Sequence, residues 1–325
     1  MADEVFLTGA TGFVGSHVLD ALLASGYPVR ALVRGSPARL AARPGLTVVS
    51  GDVRDGGALV PSMRGCRFLV HVAASYSFAP RDRWAMEAVN VAGTRSLLEA
   101  ARLAGIEKAV VTSSSAAVGP LRGGRLATES DWAEVHSGHG YHSSKVRQER
   151  VALRANLPVL TVLPTAPIGP GDARPTPTGQ MVVDVMRGRI PAYLDGAMNL
   201  VAVEDVGRAH VLALERGRPG ERYLVGGQNL SLTEIMDIFA RHAGTRPPEW
   251  RMPYPVALAA AWVDEVRCRL WPDTPPRVPL EGVRMGRQRM LVRIDKAKDE
   301  LGFRPTSVDD AAGRAVAWYR DHGYA

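Results

Sequence analysis

The sequence predicts an α/β protein with a doubly wound parallel sheet and a smaller α/β region towards the C-terminus. Three observations support this fold class. Short apolar runs alternate with amphipathic helical patterns through the first half of the 325 residues, the order of a parallel sheet with helices on both faces. A glycine-rich turn follows the first apolar run. Beyond Pro164 the alternation gives way to proline-punctuated loops, which marks a change of region.

The predicted strands are near-continuous apolar runs, as expected when both faces of a sheet are covered. They are Val5–Leu7, Val29–Val33, Leu46–Val49, Phe68–Val72, Ala109–Thr112 and Leu157–Leu163. Helical periodicity between these runs predicts helices near residues 13–25, 56–64, 84–104 and 141–155. A parallel sheet brings the carboxyl ends of all these strands to one edge, where open α/β folds bind their ligands.

The second half contains fewer regular elements. They are a return strand and helix over Asn199–Arg216, a strand at Arg222–Val225, a helix near 231–243 and an amphipathic helix over Pro255–Trp271. We expect the last helix to dock over a substrate cleft, with contact to a membrane surface as the alternative.

The turn after the first strand has three glycines in the pattern GxxGxxG, at Gly9, Gly12 and Gly15. Glycines let the chain turn tightly and approach a pyrophosphate closely. The helix that follows presents N–H groups to that negative charge. Strand, glycine turn and helix in this order predict a dinucleotide site in a Rossmann-type sheet. An ordinary turn that packs the helix is the alternative.

A tyrosine and a lysine lie four residues apart in the helix predicted at 141–155. Tyr141 and Lys145 share one helical face, and a nearby ammonium stabilises a phenolate for proton transfer. The cluster Ser113–Ser115 follows the strand Ala109–Thr112 and so lies at the same sheet edge. Each pattern alone is common, and serines also form turns and helix caps. Together with the glycine turn they predict an active site.

The composition narrows the class of protein. With 46% hydrophobic and 22% charged residues, the chain has ordinary globular values. No apolar run is long enough to span a membrane, and the acidic start at Asp3 and Glu4 does not resemble a secretory signal. The two cysteines, Cys66 and Cys268, lack metal-ligand spacing. We therefore expect a cytoplasmic protein that holds no metal.

The sequence resembles the extended short-chain dehydrogenase/reductase family, in its nucleotide-sugar epimerase/dehydratase-like group, over essentially its full length. The residues that carry the resemblance are Thr8–Gly15, Gly51–Val53, His71–Ala74, Asn90–Thr94, Ser113–Ser115, Tyr141 with Lys145, Gly169–Pro170, Val203–Val206 and Asp295–Pro305. Within that group it is similar to hopanoid-associated sugar epimerases and to dihydroflavonol 4-reductases, through Pro175–Gly179, Asn199–Val201 and Leu212–Gly217. The resemblance implies an NAD(P)-dependent reductase or epimerase.

The resemblance assigns roles to particular residues. Tyr141 would be the general acid/base, and Lys145 would stabilise its phenolate and hold the nicotinamide ribose. Ser114, with Ser115 as the alternative, would polarise the substrate carbonyl or hydroxyl. The residues implied to bind the cofactor are Gly9, Thr11, Gly12, Phe13, Val14 and Gly15 at the pyrophosphate, Asp52 and Val53 at the adenine, Ala73 and its neighbour Ala74 beside the ribose, and Pro164 and Thr165 beside the nicotinamide.

The family also implies an arrangement of domains and subunits. We expect an NAD(P)-binding Rossmann domain of residues 1–166 and about 199–227, and a substrate-binding domain of about 167–198 and 228–325. A homodimer would form through the helices near 84–104 and 141–155.

The end of the second strand bears on the choice of cofactor. NAD enzymes of this fold place an acidic residue there, bonded to the ribose 2′-OH, but this chain has Val33 followed by Arg34. A guanidinium suits a phosphate, so the sequence favours NADP(H) over NAD(H), with Arg39 as a second cation. Stacking of Arg34 on the adenine is the alternative.

Two positions depart from the nucleotide-sugar pattern of the family. Ala166 stands where those enzymes usually have an asparagine that contacts the substrate diphosphate, and Asn199 stands where they tend to have an arginine. An uncharged pair is poorly suited to a diphosphate, so we expect a sugar-like or lipid-linked small molecule as the substrate.

Three hypotheses about the activity follow. Either NADPH is consumed in reducing a carbonyl, or a tightly held cofactor oxidises and re-reduces a sugar carbinol in an epimerase cycle. The third hypothesis is a regulator that binds cofactor without catalysis.

The net charge of +7 is unevenly distributed. Residues 277–298 hold the cations Arg277, Arg284, Arg287, Arg289, Arg293, Lys296 and Lys298 against the acids Glu281 and Asp295. A solvated arm or strand edge is the plain interpretation; an anionic substrate or membrane surface is the alternative. Nucleic acid is not expected as a partner, because no recognition pattern accompanies the cations. With the tryptophan-bearing region 250–271, this segment is expected to form an apolar lid with a cationic rim.

Overall fold

The computed structural model describes residues 3–36, 40–77, 79–119, 125–135, 140–190, 192–248, 250–271, 274, 278, 280, 283–284 and 289–324. The described strands, in chain order, are β1 (Val5–Thr8), β2 (Val29–Val33), β3 (Leu46–Ser50), β4 (Phe68–His71), β5 (Lys108–Thr112), β6 (Val159–Pro164), β7 (Ala166–Ile168), β8 (Ala192–Tyr193), β9 (Ala197–Ala202), β10 (Arg222–Val225), β11 (Gln228–Ser231) and β12 (Trp250–Arg251). The described α-helices are α1 (Phe13–Ala24), α2 (Gly56–Met63), α3 (Arg83–Met86), α4 (Thr94–Ala104), α5 (Tyr141–Leu153), α6 (Pro177–Met186), α7 (Val203–Arg216), α8 (Leu232–Ala243), α9 (Tyr254–Leu270) and α10 (Val308–Asp321).

Seven parallel strands form the central sheet, in the order β10-β6-β5-β4-β1-β2-β3. All six strands predicted in the first half are present in it, with ends that differ by one or two residues. The chain order reverses between β1 and β4, where Thr8 lies beside His71 in the register. This reversal is the topological switch point, at which open α/β sheets bind their ligands.

Both faces of the sheet are covered, because successive residues of a strand point to opposite sides. Val5 and Leu7 of β1 belong to one buried cluster, with Leu19 of α1 and Val206 of α7. Phe6, between them, belongs to the other cluster, which packs against α2 and α4. The sheet is therefore doubly wound, as the sequence predicts.

The helix predicted over 84–104 is not uniform. Its middle part, Glu87–Gly93, has π-helical hydrogen bonding between α3 and α4. A π segment shifts the side chains that follow it around the helix axis, and such segments are frequent at functional sites. Here the segment contains Asn90, which is completely buried.

A second, three-stranded sheet has the order β11-β9-β7. It packs with α6, α8 and α10 around a separate apolar cluster that includes Phe239 and Val316. The return strand predicted at Asn199 lies in this small sheet and not in the seven-stranded one, whereas the helix α7 that follows it packs against α1.

The described residues of the basic segment, 277–298, contact several other parts of the chain. Met290 bridges to Met198 and Val292 to Ala127, and the Lys296 ammonium lies 2.6 Å from a Glu221 carboxylate oxygen. Several residues of interest in the sequence, namely Arg39, Arg277, Glu281 and Arg287, lie outside the described residues. None of the helices described has both the length and the apolar character needed to cross a membrane.

Candidate active site

The glycine turn lies at the switch point, directly after β1. Gly9 has φ of +83°, and a Cβ there would come within 2.6 Å of the backbone nitrogen of Ala73, after β4. A Cβ on Gly15 would collide with the carbonyl oxygen of Gly9. The N–H of Gly12 donates to that same oxygen at 2.9 Å. Gly9 and Gly15 are therefore required by steric contact, and the turn is closed by its own backbone.

The start of α1 is open to an anion. Its N-cap residue, Gly12, is extended and has no side chain to cap the first turn, and Thr11 before it is exposed. The first N–H groups of the helix, at Phe13, Val14 and Gly15, therefore face the mouth of the turn with the positive end of the helix dipole behind them. Small residues and a helix start of this kind fit the pyrophosphate of a dinucleotide.

Lys145 is held one helical turn after Tyr141 on α5. Its side chain is 2% exposed, and its Nζ donates to the carbonyl oxygen of Thr112 at 3.0 Å and to Oε1 of Gln148 at 2.6 Å. Burial lowers the pKa of Lys145 to about 8, against the opposing charge of Glu149. The structure thus brings the predicted tyrosine–lysine pair to the carboxyl end of β5.

A continuous chain of buried hydrogen bonds leads from β1 to this lysine. Thr8 Oγ1 lies 2.7 Å from Nδ1 of His71, whose Nε2 lies 2.9 Å from Oγ1 of Thr94. Gln148 Nε2 donates to the same Thr94 oxygen at 3.1 Å, and Gln148 Oε1 accepts from Lys145. Burial, reinforced by the charge of Lys145, lowers the pKa of His71 to about 3, so the imidazole is neutral.

The three serines after β5 differ in what they bind. Ser113 is buried and donates to Glu149 Oε2 at 2.9 Å, while Ser114 Oγ accepts from the N–H of Ala116 at 3.1 Å and caps the short turn that follows. Ser114 and Ser115 are partly exposed. Ser113 therefore points into the protein interior. The two predicted candidates, Ser114 and Ser115, lie on the solvent side.

Glu149 in turn anchors a buried ionic cluster. Arg222 Nε lies 2.9 Å from Glu149 Oε1, and Thr161 donates to the same oxygen at 2.7 Å. The Arg222 guanidinium also lies 3.7 Å from the centre of the Trp132 ring. This cluster fixes α5 to β6 and β10, and so fixes the height of Lys145 above the sheet edge.

The loop after β4 lies against the catalytic candidate. The Tyr76 ring packs edge-on against the Tyr141 ring, with centroids 4.3 Å apart. Asn90 of the π segment holds this loop through both backbone groups of Ser75, accepting from its N–H at 2.7 Å and donating to its carbonyl at 2.9 Å. Ala73 and Ala74 lie in the same loop, beside Gly9. Tyr76 has no sequence motif to single it out.

Charged side chains follow β2 and β3, where the adenosine ribose of the cofactor would bind. Val33 is buried at the end of β2, and Arg34 after it is exposed. Asp52, after β3, forms two hydrogen bonds with the Arg54 side chain, at 3.0 and 2.7 Å. These bonds hold the pKa of Asp52 below its usual value, and the charge of Arg34 acts in the same direction. Two cations therefore flank one carboxylate, and Arg54 was not anticipated from the sequence.

The end of β6 is tied to the small sheet. Thr165, which follows Pro164, donates from Oγ1 to Oδ1 of Asn199 at 2.9 Å. The same Asn199 oxygen accepts from the N–H of Gly227 at 2.9 Å, and its Nδ2 donates to Asn229 at 2.9 Å. Asn199 is 3% exposed. Its amide therefore links the two sheets by hydrogen bonds inside the protein.

This geometry defines a dinucleotide-binding enzyme of the Rossmann type with a tyrosine–lysine pair, and comparison with known proteins agrees. Residues 5–226 match the model of the NAD dependent epimerase/dehydratase family. The match covers more than half of the 325 residues, and the chain belongs to this family. It is an NAD(P)-dependent enzyme of the extended short-chain dehydrogenase/reductase type, an oxidoreductase or an epimerase.

Several relatives align over nearly the whole chain. A "Putative dihydroflavonol 4-reductase" of Synechocystis is 42% identical, over 100% of this chain and 96% of its own length. A "Sterol demethylase protein B" of Methylococcus capsulatus is 35% identical over 98% of both. A "4-hydroxy-2-methyl-3-oxo-4-farnesyl-3,4-dihydroquinoline-1-oxide ketoreductase" of Stigmatella aurantiaca is 30% identical over 92% and 91%.

Solved structures give the same fold. The crystal structure of gox2253 is 39% identical, covers 99% of both chains and superposes with a TM-score of 0.86. A dTDP-glucose 4,6-dehydratase from Streptomyces venezuelae, DesIV with NAD bound, is 27% identical with a TM-score of 0.78, over 98% of this chain and 97% of its own. The predicted fold class and family are confirmed.

Proposed function

We propose that the protein is an NADP(H)-dependent oxidoreductase that interconverts a carbonyl and a carbinol on an apolar, lipid-like small molecule. The observation that carries this proposal is that the Asn199 side chain is buried and engaged in hydrogen bonds within the protein. A diphosphate needs charged or free polar partners, whereas this amide is buried and bonded to Thr165, Gly227 and Asn229. The printed names of two relatives, which mention a sterol and a farnesylated quinoline oxide, support an apolar substrate.

The residues at the sheet edge divide the chemistry between them. When bound, the nicotinamide supplies or accepts the hydride at the substrate carbon. Tyr141 gives its phenolic proton to the carbonyl oxygen during reduction, and the Ser114 hydroxyl donates a hydrogen bond to that oxygen. The Lys145 ammonium stabilises the phenolate that remains, using the N–H left over from its bonds to Thr112 and Gln148.

The cofactor preference rests on the cations after β2 and β3. We propose that the Arg34 guanidinium binds the 2′-phosphate of NADP(H), because no carboxylate ends β2 to bind a free 2′-hydroxyl. Arg54 neutralises Asp52, which would otherwise repel the phosphate. Gly9, Gly12 and the first turn of α1 would hold the pyrophosphate.

The reaction is tested by supplying NADPH with two classes of carbonyl compound. An apolar ketone, such as a sterol ketone or a farnesylated quinolone, should be reduced with one NADPH oxidised per alcohol formed. A nucleotide 4-keto-sugar should not be turned over. Interconversion of nucleotide-sugar epimers without net consumption of added NADPH would show an epimerase instead, which the family's name makes the second candidate.

Three further assignments are proposed with it. Residues 1–166 and about 199–227 would form the cofactor-binding domain, and about 167–198 with 228–325 the substrate-binding domain. The separate apolar clusters around the two sheets support two units, while Leu200 of β9 and Phe303 pack across the proposed boundary. A homodimer would pair the helices near 84–104 and 141–155, and light scattering of the purified protein tests it. The enzyme would act in the cytoplasm, which fractionation of cells tests.

A further inference from the structure

The helix α9 has most of its large apolar side chains on the outside. Its inward face carries Ala257, Ala261, Asp264, Glu265 and Cys268, all buried. Its exposed face carries the large apolar side chains of Val256, Trp262, Val263, Val266 and Leu270. Val263 is 71% exposed and Leu270 65%. The two acids of this helix therefore point inward beside the small apolar cluster of Ala257 and Ala261, and its valines point outward.

The buried acids of α9 are neutralised from within the protein. Asp264 accepts from Arg267 at 2.7 Å and from the backbone N–H of Val278 at 2.8 Å. Glu265 lies 3.5 Å from the Arg83 guanidinium and 3.2 Å from that of Arg269. The acids of the helix are thus kept off its exposed face, where the charges are the partly exposed guanidinium groups of Arg267 and Arg269.

Exposed tryptophans cluster around the same helix. Trp262 lies within it, Trp271 follows its last residue, and Trp250 precedes its first turn by four positions. Trp84 is exposed next to Arg83, which pairs with Glu265 of α9. Tryptophan is the side chain most suited to the boundary between water and lipid, since it has a large apolar ring and one polar N–H.

We propose that the exposed face of α9 docks on an anionic lipid bilayer. The helix would lie in the plane of the interface: at 17 residues it is about 25 Å long, shorter than a bilayer core, and carries two acids on its inner face. Charge complementarity selects an anionic surface, because the net charge of +7 attracts it. At α9 itself three guanidinium groups, of Arg83, Arg267 and Arg269, meet two carboxylates, which leaves an excess of one positive charge.

The position of α9 would bring the lipid-binding surface close to the candidate active site. The turn Pro80–Asp82 lies next to α9, and Tyr76 at the start of the same loop packs against Tyr141. The bilayer would therefore lie one loop away from the catalytic tyrosine, where an apolar substrate could enter without crossing water. This use rests on the proposed function; the docking surface itself does not.

Binding to vesicles tests the proposal without any substrate. Vesicles of phosphatidylglycerol mixed with phosphatidylcholine should sediment the wild-type protein, pure phosphatidylcholine should sediment less, and added salt should weaken the binding. Val263→Glu combined with Leu270→Glu should lower the partition by at least about tenfold. Val135→Glu, at an exposed apolar position outside α9 and outside the helices proposed to form the dimer, is the control and should bind as wild type.

Two results would overturn the proposal. One is a double variant that sediments with the anionic vesicles as wild type does. The other is a wild-type dimer that Val263→Glu converts to monomer in light scattering, which would show that a second copy of the chain covers the face. Unchanged NADPH binding verifies that the variants are folded. Vesicle binding without turnover of any apolar ketone would leave the docking surface standing and contradict the proposed function alone.

Discussion

Lys145 carries its charge in a place where burial opposes it. The pKa of this lysine falls from 10.5 to about 8, which corresponds to a cost of about 3 kcal/mol. Because the unfolded chain binds the proton more tightly, the cost is fully present below pH 8 and is relieved as the pH rises towards 10.5. A buried ammonium held at such a cost makes Lys145 a candidate functional residue.

The amide of Gln148 is expected to set the pH at which Lys145 loses its proton. Gln148→Leu removes an acceptor from the ammonium, so the pKa of Lys145 should fall and the alkaline limb of kcat/KM should move down by about one pH unit. Gln148→Glu supplies a carboxylate at the same place and should move the limb upward. A pH–rate profile measures both, and a common alkaline limb in wild type and both variants would refute the role of Gln148.

Arg34 is expected to determine the preference between the two cofactors. Arg34→Ala should raise the KM for NADPH by about tenfold and leave the KM for NADH within about twofold, since one charge-assisted bond to the phosphate is lost. Arg54→Ala should have a smaller effect, because Arg54 is paired with Asp52. Arg320→Ala, on α10, is the control. An unchanged ratio of the two KM values in Arg34→Ala would remove the assignment.

Part of the candidate active site could be predicted from the sequence, because some of its residues follow short sequence patterns. The glycines, Tyr141 and Lys145 follow patterns within a few residues, so the sequence alone brings them forward. Gln148, Thr94 and Tyr76 could not be predicted, because their roles depend on how separate elements pack. The structure adds that Ser113 is bonded to buried Glu149, while the two predicted candidates, Ser114 and Ser115, are both partly exposed.

At the scale of elements, His71 joins β4 to both β1 and α4. Its two nitrogens are engaged by Thr8 and Thr94, and the chain continues through Gln148 on α5 to Lys145. Four elements are thus held in register around Lys145. Because His71 stays neutral in the folded protein but takes up a proton in the unfolded chain at acid pH, acid lowers the stability of this arrangement.

The acid sensitivity of the fold is expected to depend on His71. Its folded pKa is about 3 against an ordinary 6.5, so this residue lowers stability as the pH falls below 6.5, by about 2 kcal/mol between pH 7 and pH 5. His71→Gln should reduce the free energy of unfolding at pH 7 by about 1–2 kcal/mol through lost hydrogen bonds.

The same variant should lose less stability on acidification. Urea unfolding at pH 7 and pH 5 measures the difference for wild type and His71→Gln. The decline in wild type should exceed that in the variant by about 2 kcal/mol, since the contribution of His210, which is also buried, is common to both. Parallel declines would show that His71 is not buried as a neutral group.

Two elements differ from the sequence expectation for physical reasons. The helix predicted over 84–104 contains the π segment Glu87–Gly93, within which the buried Asn90 binds Ser75, a residue of a separate loop. The helix α9 shows a helical period in its sequence, but the period does not tell which face is buried. Its inward acids are satisfied by Arg83 and by Val278, residues distant in sequence.

At the scale of the whole molecule, the parallel sheet was predictable because its strands are short apolar runs and four of them, β1, β3, β4 and β5, are followed by helices. The small sheet was not, because β9 pairs with β7 and β11, and short strands with partly exposed faces carry little apolar signal. The two sheets meet where Asn199 bonds to Thr165 beside the end of β6. The sequence could not show this junction between the two sheets.

The central claim is that Tyr141, supported by Lys145, transfers the proton while the glycine turn holds the cofactor. It is tested most directly by measuring kcat for an apolar ketone and the Kd for NADPH in wild type and in Tyr141→Phe. The account predicts that kcat falls by a factor of about 100 to 10,000, the range for loss of a general acid, while the Kd changes by less than about threefold. A Tyr141→Phe enzyme that reduces the ketone at close to the wild-type rate would contradict the account.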